Sequence, residues 1–114
     1  MKLKVADRLV LLGLLPQTGN LLTMRIVSDL RRTLGFSEEE TSEFGLEVDP
    51  TSDQVRWKTA ADRPKDIEIG PVGRRLLAER LLQLDKEERL LEMHLPWDER
   101  FVQEKEPTPI KAVK

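Results

Sequence analysis

The single histidine, His94, lies two residues after Glu92 and four before Asp98, with Trp97 between. An imidazole beside carboxylates is the residue set of a general base or a metal ligand. A metal centre needs at least three converging ligands, and the chain has no second histidine and no cysteine. The spacing therefore predicts a surface or helix-end histidine. Two oxygen-rich runs are the other metal candidates: Glu38, Glu39, Glu40 and Glu43, and Asp49-Pro50-Thr51-Ser52-Asp53. Calcium loops alternate their oxygens through a turn with a glycine at the bend. The first run reads as helix, which spreads its side chains around a cylinder, and the second lacks the D-x-D-x-D-G pattern. Gly70-Pro71-Val72-Gly73-Arg74-Arg75 has the make-up of an anion site at a helix start, but the simpler reading is a good helix start with Pro71 at its first position. No Walker-type G-x-x-x-x-G-K-S/T, dinucleotide G-x-G-x-x-G or nucleophile-elbow G-x-S-x-G motif occurs. These residues predict a non-enzymatic protein with no metal and no cofactor.

The elements that would position these groups follow from periodicity. Val5 to Leu15 is apolar around most of its circumference and stops at Pro16. Leu22, Ile26, Val27, Leu30 and Leu34 form one helical stripe, with Asn20 placed to cap it and Gly35 predicted in the left-handed region at its end. Ser37-Glu38-Glu39-Glu40 is a capping-box sequence that opens a short third helix, closed by Gly45. Leu46-Glu47-Val48 and Val55-Arg56-Trp57 alternate as a hairpin, and Ile67-Glu68-Ile69 reads as a third strand. A helix from Pro71 carries Val72, Leu76, Leu77, Leu81 and Leu84. Asp85-Lys86-Glu87-Glu88 repeats the capping pattern, and either begins a separate helix or lies inside one long helix; Leu90, Leu91 and Leu95 continue an apolar face, and Pro96-Trp97 starts a last turn with Phe101 and Val102. The order predicts an α+β domain, a small helical domain with a short antiparallel sheet and a winged-helix-like sequence of elements, over residues 1–104. Residues 105–114, with Pro107 and Pro109 and no stripe, read as a flexible tail.

Three helices and a hairpin make a winged-helix skeleton, and Arg56, Lys58, Arg63, Lys65, Arg74 and Arg75 are the cations that would meet phosphate on nucleic acid. The local charges oppose that reading. From Ser37 to Asp53 there are seven acids and no Lys or Arg, a sum of −7 where a recognition helix and the base of a wing would approach a polyanion. Residues 54–65 then sum to +3 (four cations less Asp62). Adjacent reversal of sign favours pairing within the chain or with a protein. The protein-binding reading singles out Glu38, Glu39, Glu43, Arg56, Trp57 and Lys58, with an open sheet edge as a second means of association.

Net charge over the 114 residues is −2, too small to set a long-range field. The longest apolar stretch, Leu9 to Leu15, falls short of the about 20 residues that span a bilayer. Lys2 and Lys4 ahead of it imitate a signal peptide, but Asp7 and Arg8 interrupt the apolar region. A cytoplasmic protein without membrane contact is expected. Ala6-Asp7-Arg8-Leu9-Val10-Leu11-Leu12-Gly13-Leu14-Leu15-Pro16, Phe36-Ser37-Glu38-Glu39-Glu40, Asp66-Ile67-Glu68-Ile69-Gly70 and Leu84-Asp85-Lys86 resemble segments of small phage and prophage proteins. The resemblance spans residues 1–102. It implies a small accessory or host-interaction protein, in the host cytoplasm if phage-encoded, and carries no site residue with it; the expected function is a phage accessory, regulatory or self-associating structural protein.

Overall fold

The computed structural model describes residues 1–52 and 54–103; the predicted tail, 105–114, and Asp53 lie outside them. The chain runs β1 (Lys2–Leu3), α1 (Val5–Leu14), α2 (Leu21–Leu34), α3 (Glu38–Phe44), β2 (Glu47–Val48), β3 (Val55–Arg56), a 3-10 turn (Thr59–Ala61), β4 (Lys65–Asp66) and α4 (Pro71–Lys86). A second 3-10 turn (Glu92–His94), α5 (Leu95–Asp98) and a π-helical turn (Glu99–Gln103) follow. This is a small α+β fold with helices dominant.

Helix starts are defined by side chains that satisfy their orphan amides. The Asp7 carboxylate accepts from the Lys4 amide at 2.9 Å, and Asp62, distant in sequence, accepts from the Val5 amide at 3.1 Å. Asn20 Oδ1 accepts from the Thr23 amide at 2.8 Å. The Ser37 capping box forms in full: Ser37 Oγ accepts from the Glu40 amide, and Glu40 Oε1 from the Ser37 amide, each at 3.0 Å. Gly45 closes α3 in the left-handed region with φ 64°. Gly35 departs from expectation, because it is extended at φ −68°. Glycine is needed there for closeness instead, since a Cβ would stand 2.7 Å from the Arg31 carbonyl oxygen.

The strands form two separate antiparallel ladders. β2 pairs with β3 as the predicted hairpin, Glu47 opposite Arg56. The third strand does not join it. Its hydrogen-bonded residues are Lys65 and Asp66, upstream of the predicted Ile67–Ile69, and they pair with β1, Lys2 opposite Asp66. The alternation of Ile67 and Ile69 holds in side-chain terms, for both are buried. Three helices followed by a hairpin are thus present without a three-stranded sheet, among the described residues.

The core gathers Leu11 and Leu14 of α1, Val27, Leu30 and Leu34 of α2, the two isoleucines, and Leu77 and Leu81 of α4. Trp97 stacks on Phe101 at 5.9 Å and closes one end. Gly73 is buried where α4 meets α2, and a Cβ there would lie 2.8 Å from Leu30 Cδ2. The predicted second capping box at Asp85 does not form. α4 instead ends in a Schellman turn, with Arg89 N–H bonded to the Leu84 carbonyl at 2.8 Å, Glu88 N–H to that of Asp85 at 3.0 Å, and Glu88 left-handed at φ 57°.

One charged side chain holds the first three helices together. Arg8 is 1% exposed. Its Nε donates to the Leu34 carbonyl at 3.0 Å and its Nη2 to the Gly35 carbonyl, so it caps the C-terminus of α2. Nη1 and Nη2 form a fork on the Glu40 carboxylate at 3.0 and 3.1 Å, at the start of α3. The guanidinium also lies 4.0 Å from the Phe36 ring centroid. The Arg8 bonds hold the Glu40 carboxyl far below the usual range, at about 2, with the Ser37 amide and Lys65 assisting and burial opposing.

Removing Arg8 strands a carboxylate and two helix-end carbonyls, so Arg8→Ala is expected to lower unfolding free energy by about 3 kcal/mol in a denaturant titration. Lys65→Ala, at a half-exposed partner of the same carboxylate, is expected to cost less than about 1 kcal/mol. A depressed carboxylate pKa stabilises above the unfolded value near 4.5 and loses that contribution as pH falls towards 2. Stability followed across that window should fall more shallowly in Glu40→Gln than in the unchanged chain; identical slopes would remove Glu40 from the acid response.

Candidate interaction surface

The acidic and basic segments lie antiparallel and pair with each other. Arg56 meets Glu47 at 3.8 Å, Arg63 is in ion-pair contact with Glu43, and Lys65 Nζ meets Glu40 at 3.4 Å. The Lys58 backbone N–H, bonded to the Phe44 carbonyl at 2.7 Å, continues the alignment. Residue numbers rise along one segment as they fall along the other, so three cations are matched to three acids. Except at Glu40 the pairs are exposed and individually weak. Their effect is to cancel local charge.

The predicted protein-binding residues are therefore divided. Glu43 and Arg56 are engaged within the chain. Glu38 and Glu39 are exposed on the first turn of α3, with no ion pair among the described residues. Trp57 is half-buried, and its indole Nε1 is buried without a hydrogen-bond partner among the described residues. The aliphatic stem of Lys58 crosses Gly45 so closely that a Cβ on that glycine would lie 3.1 to 3.3 Å from it.

The nucleic-acid set is divided too. Arg56, Arg63 and Lys65 stand in the charge ladder. Arg74 turns inward, its Nε donating to the Ile69 carbonyl at 3.1 Å and its guanidinium 5.9 Å from the Phe101 ring. Lys58 and Arg75 alone of the six have no ion pair or hydrogen bond from the side chain among the described residues. His94 is a helix-end residue as expected, but buried: its Nδ1 accepts from the Leu91 amide at 3.0 Å and organises the turn before α5. Among the described residues no three His, Asp or Glu side chains gather as a metal site, and no helix is long and apolar enough to cross a membrane.

A different surface emerges where sequence periodicity predicts core. An open groove of about 170 Å³ runs between α2 and the start of α4. Ile26, Leu30, Ile69 and Val72 supply its apolar wall, Gly73 its close approach, and Asp29 and Glu68 its acidic edge. Val72 is 59% exposed, and Leu22, one turn before Ile26 on α2, is 68% exposed. The apolar stripes predict burial for both, as they do for Leu91 and Leu95, which are also exposed. The available signal is Leu21-Leu22: neighbours on a helix point about 100° apart, so a run of two at a helix start exceeds what one narrow face buries.

The charge ladder generates a test against nucleic acid. The unchanged chain is expected to give no mobility shift at low salt on duplex DNA or RNA, whereas Glu43→Gln with Glu47→Gln frees Arg63 and Arg56 and should introduce a weak, salt-sensitive shift. A shift by the unchanged chain that Arg56→Ala abolishes would reverse this reading. The chain matches no protein-family model, no curated protein and no solved structure.

Proposed function

We propose that this protein is a non-enzymatic protein-binding module that takes a partner segment in the α2–α4 groove. The observation that carries the proposal is an open groove with an aliphatic wall, which includes the 59% exposed Val72, and with Leu22 exposed one turn before Ile26 on α2. Isolated exposed leucines are ordinary on protein surfaces, but aliphatic residues grouped at a concavity are what a partner's side chain buries against.

The edge defines the partner's chemistry. Glu68 has no ion pair among the described residues, and Asp29 shares only an exposed contact with Arg32 at 3.5 Å. Two carboxylates beside an aliphatic wall suit a segment with a branched aliphatic anchor and a flanking Lys or Arg. Glu38 and Glu39 on α3 add to the acidic character of the molecule without belonging to the groove. The charge ladder supports the same division of labour, since the hairpin cations that nucleic acid would need are occupied by neighbouring acids.

A peptide-display selection on the full chain is expected to enrich an aliphatic residue flanked by Lys or Arg. Val72→Glu should weaken the selected peptide by about tenfold or more, the equivalent of about 1.5 kcal/mol for one lost aliphatic contact, and Arg75→Ala should leave it unchanged. Enrichment of no motif, or of an acidic one, contradicts the proposal. Sedimentation that shows a stable dimer disrupted by Val72→Glu would identify the partner as a second copy and overturn the peptide reading.

A further inference from the structure

We infer that the partner segment of the α2–α4 groove binds as an extended strand. Its backbone pairs with the open edge of β4 at Asp66 and Glu68, and its side chains alternate between aliphatic residues and Lys or Arg. The inference rests on the groove being a binding surface, as proposed above, and adds the conformation and sequence pattern of what it takes.

The pairing with β1 fixes which way the backbone of residues 65–69 faces. Ile67 N–H donates to the Met1 carbonyl at 2.8 Å, and Met1 N donates to the Ile67 carbonyl at 3.0 Å. In an antiparallel ladder such a doubly bonded pair alternates with a pair whose polar groups face outward. Lys2 opposite Asp66 is that next pair. The N–H and C=O of Asp66 therefore point away from β1, and so do those of Glu68, two residues on. Side chains keep the same alternation, with Ile67 and Ile69 buried and Asp66 and Glu68 exposed. Among the described residues, the outward N–H and C=O groups of Asp66 and Glu68 have no backbone partner, and β4 has no neighbouring strand except β1.

This edge belongs to the groove. Glu68, whose N–H and C=O form part of it, lines the groove together with Ile69 and Gly70. Ile69 shares a layer with Leu30, because a Cβ on Gly73 would lie 3.1 Å from Ile69 Cγ2 and 2.8 Å from Leu30 Cδ2. A strand added to the edge places one row of side chains in the layer of Ile69 and the alternate row beside Asp66 and Glu68. Main-chain bonds then supply affinity, and the two rows supply specificity.

Charge selects the partner. The Asp66 carboxylate accepts from Met1 N at 3.0 Å, and Glu68 has no ion pair among the described residues. A second copy of this edge would set carboxylates against carboxylates, which opposes pairing, whereas Lys or Arg in the outer row complements them. Length is limited as well. Pro64, two residues before Asp66, has no N–H to offer, and Pro71 begins α4. The edge accepts a short strand and does not seed a growing sheet.

The test uses the isotope-labelled full chain with the peptide acetyl-Lys-Val-Lys-Ile-Lys-amide, and with acetyl-Lys-Lys-Lys-Val-Ile-amide as the same composition in block order. In the free chain, the Asp66 and Glu68 amides are expected to exchange with solvent about tenfold or more faster than that of Ile67. The alternating peptide at saturation should slow both by about tenfold or more, and the block-order peptide should leave them unchanged. N-methylation should abolish binding at either the Val or the central Lys but not at both, since neighbouring N–H groups of a strand face opposite edges. Free-chain amides as slow as that of Ile67, no protection by the alternating peptide, equal protection by both peptides, or loss at both or neither N-methyl position overturns the inference. Val72→Glu separates this result from the groove reading. Binding that Val72→Glu weakens, without protection of Asp66 and Glu68, keeps the groove and overturns the strand. Protection that Val72→Glu does not alter keeps the strand pairing and overturns the groove.

Discussion

A guanidinium taken out of water must be surrounded by acceptors, and the arrangement of the first three helices follows from how Arg8 meets that demand. Helix α2 ends with carbonyls that have no partner within the helix, and α3 begins with a carboxylate drawn back towards its own first amide. Arg8 reaches all of them from α1. The three elements can satisfy one another only in a single relative placement, because a guanidinium donates along fixed directions in a plane. A leucine at the same position would fill the volume while leaving the two helix ends and Glu40 to find other partners. The same device recurs on a smaller scale: Arg80 donates to the Leu14 carbonyl at the end of α1, and Arg74 to that of Ile69 ahead of α4. Three of the eleven arginines thus cap backbone carbonyls, and Arg8 and Arg80 each join two helices in doing so.

The acidic run beginning at Glu38 has three separate physical roles that its composition merges into one. Glu40 is a helix cap and the counter-ion of a buried cation. Glu43 and Glu47 neutralise the hairpin and the loop after it. Glu38 and Glu39 remain on the surface near the positive end of α3, where the helix dipole favours them. A functional reading based on the total charge of the segment gives these residues equal weight. The geometry assigns most of that charge to internal balance and moves the candidate site to a surface of aliphatic rather than ionic character.

Local signals make much of the fold legible. Asn20, the Ser37–Glu40 capping box, Gly45 and Pro71 each act over a few residues, and the helices they delimit start and stop close to where those residues predict. The hairpin is legible for the same reason. Features that depend on distant partners are not. Arg8 in an apolar helix looks like an interruption, because its acceptors at Leu34, Gly35 and Glu40 are supplied by the later chain. The pairing of β1 with β4 joins two-residue strands from opposite parts of the sequence, too short to show alternation. Periodicity also identifies a face without saying how far the core extends along it. Leu22 and Val72 share the period of buried neighbours yet lie past the edge of the packed region, so the candidate groove is concealed by the pattern that locates its helices.

Gly73 links that groove to the rest of the molecule in one further respect. A glycine inside a helix forgoes about 1 kcal/mol of helical stability relative to alanine, yet alanine would drive its methyl against Leu30. Groove shape and helix strength are consequently set by the same atom-scale choice and cannot be adjusted independently. An alanine here would trade helical stability against a shift of the Leu30 side chain that lines the groove, so a change made for heat resistance would also reshape that surface.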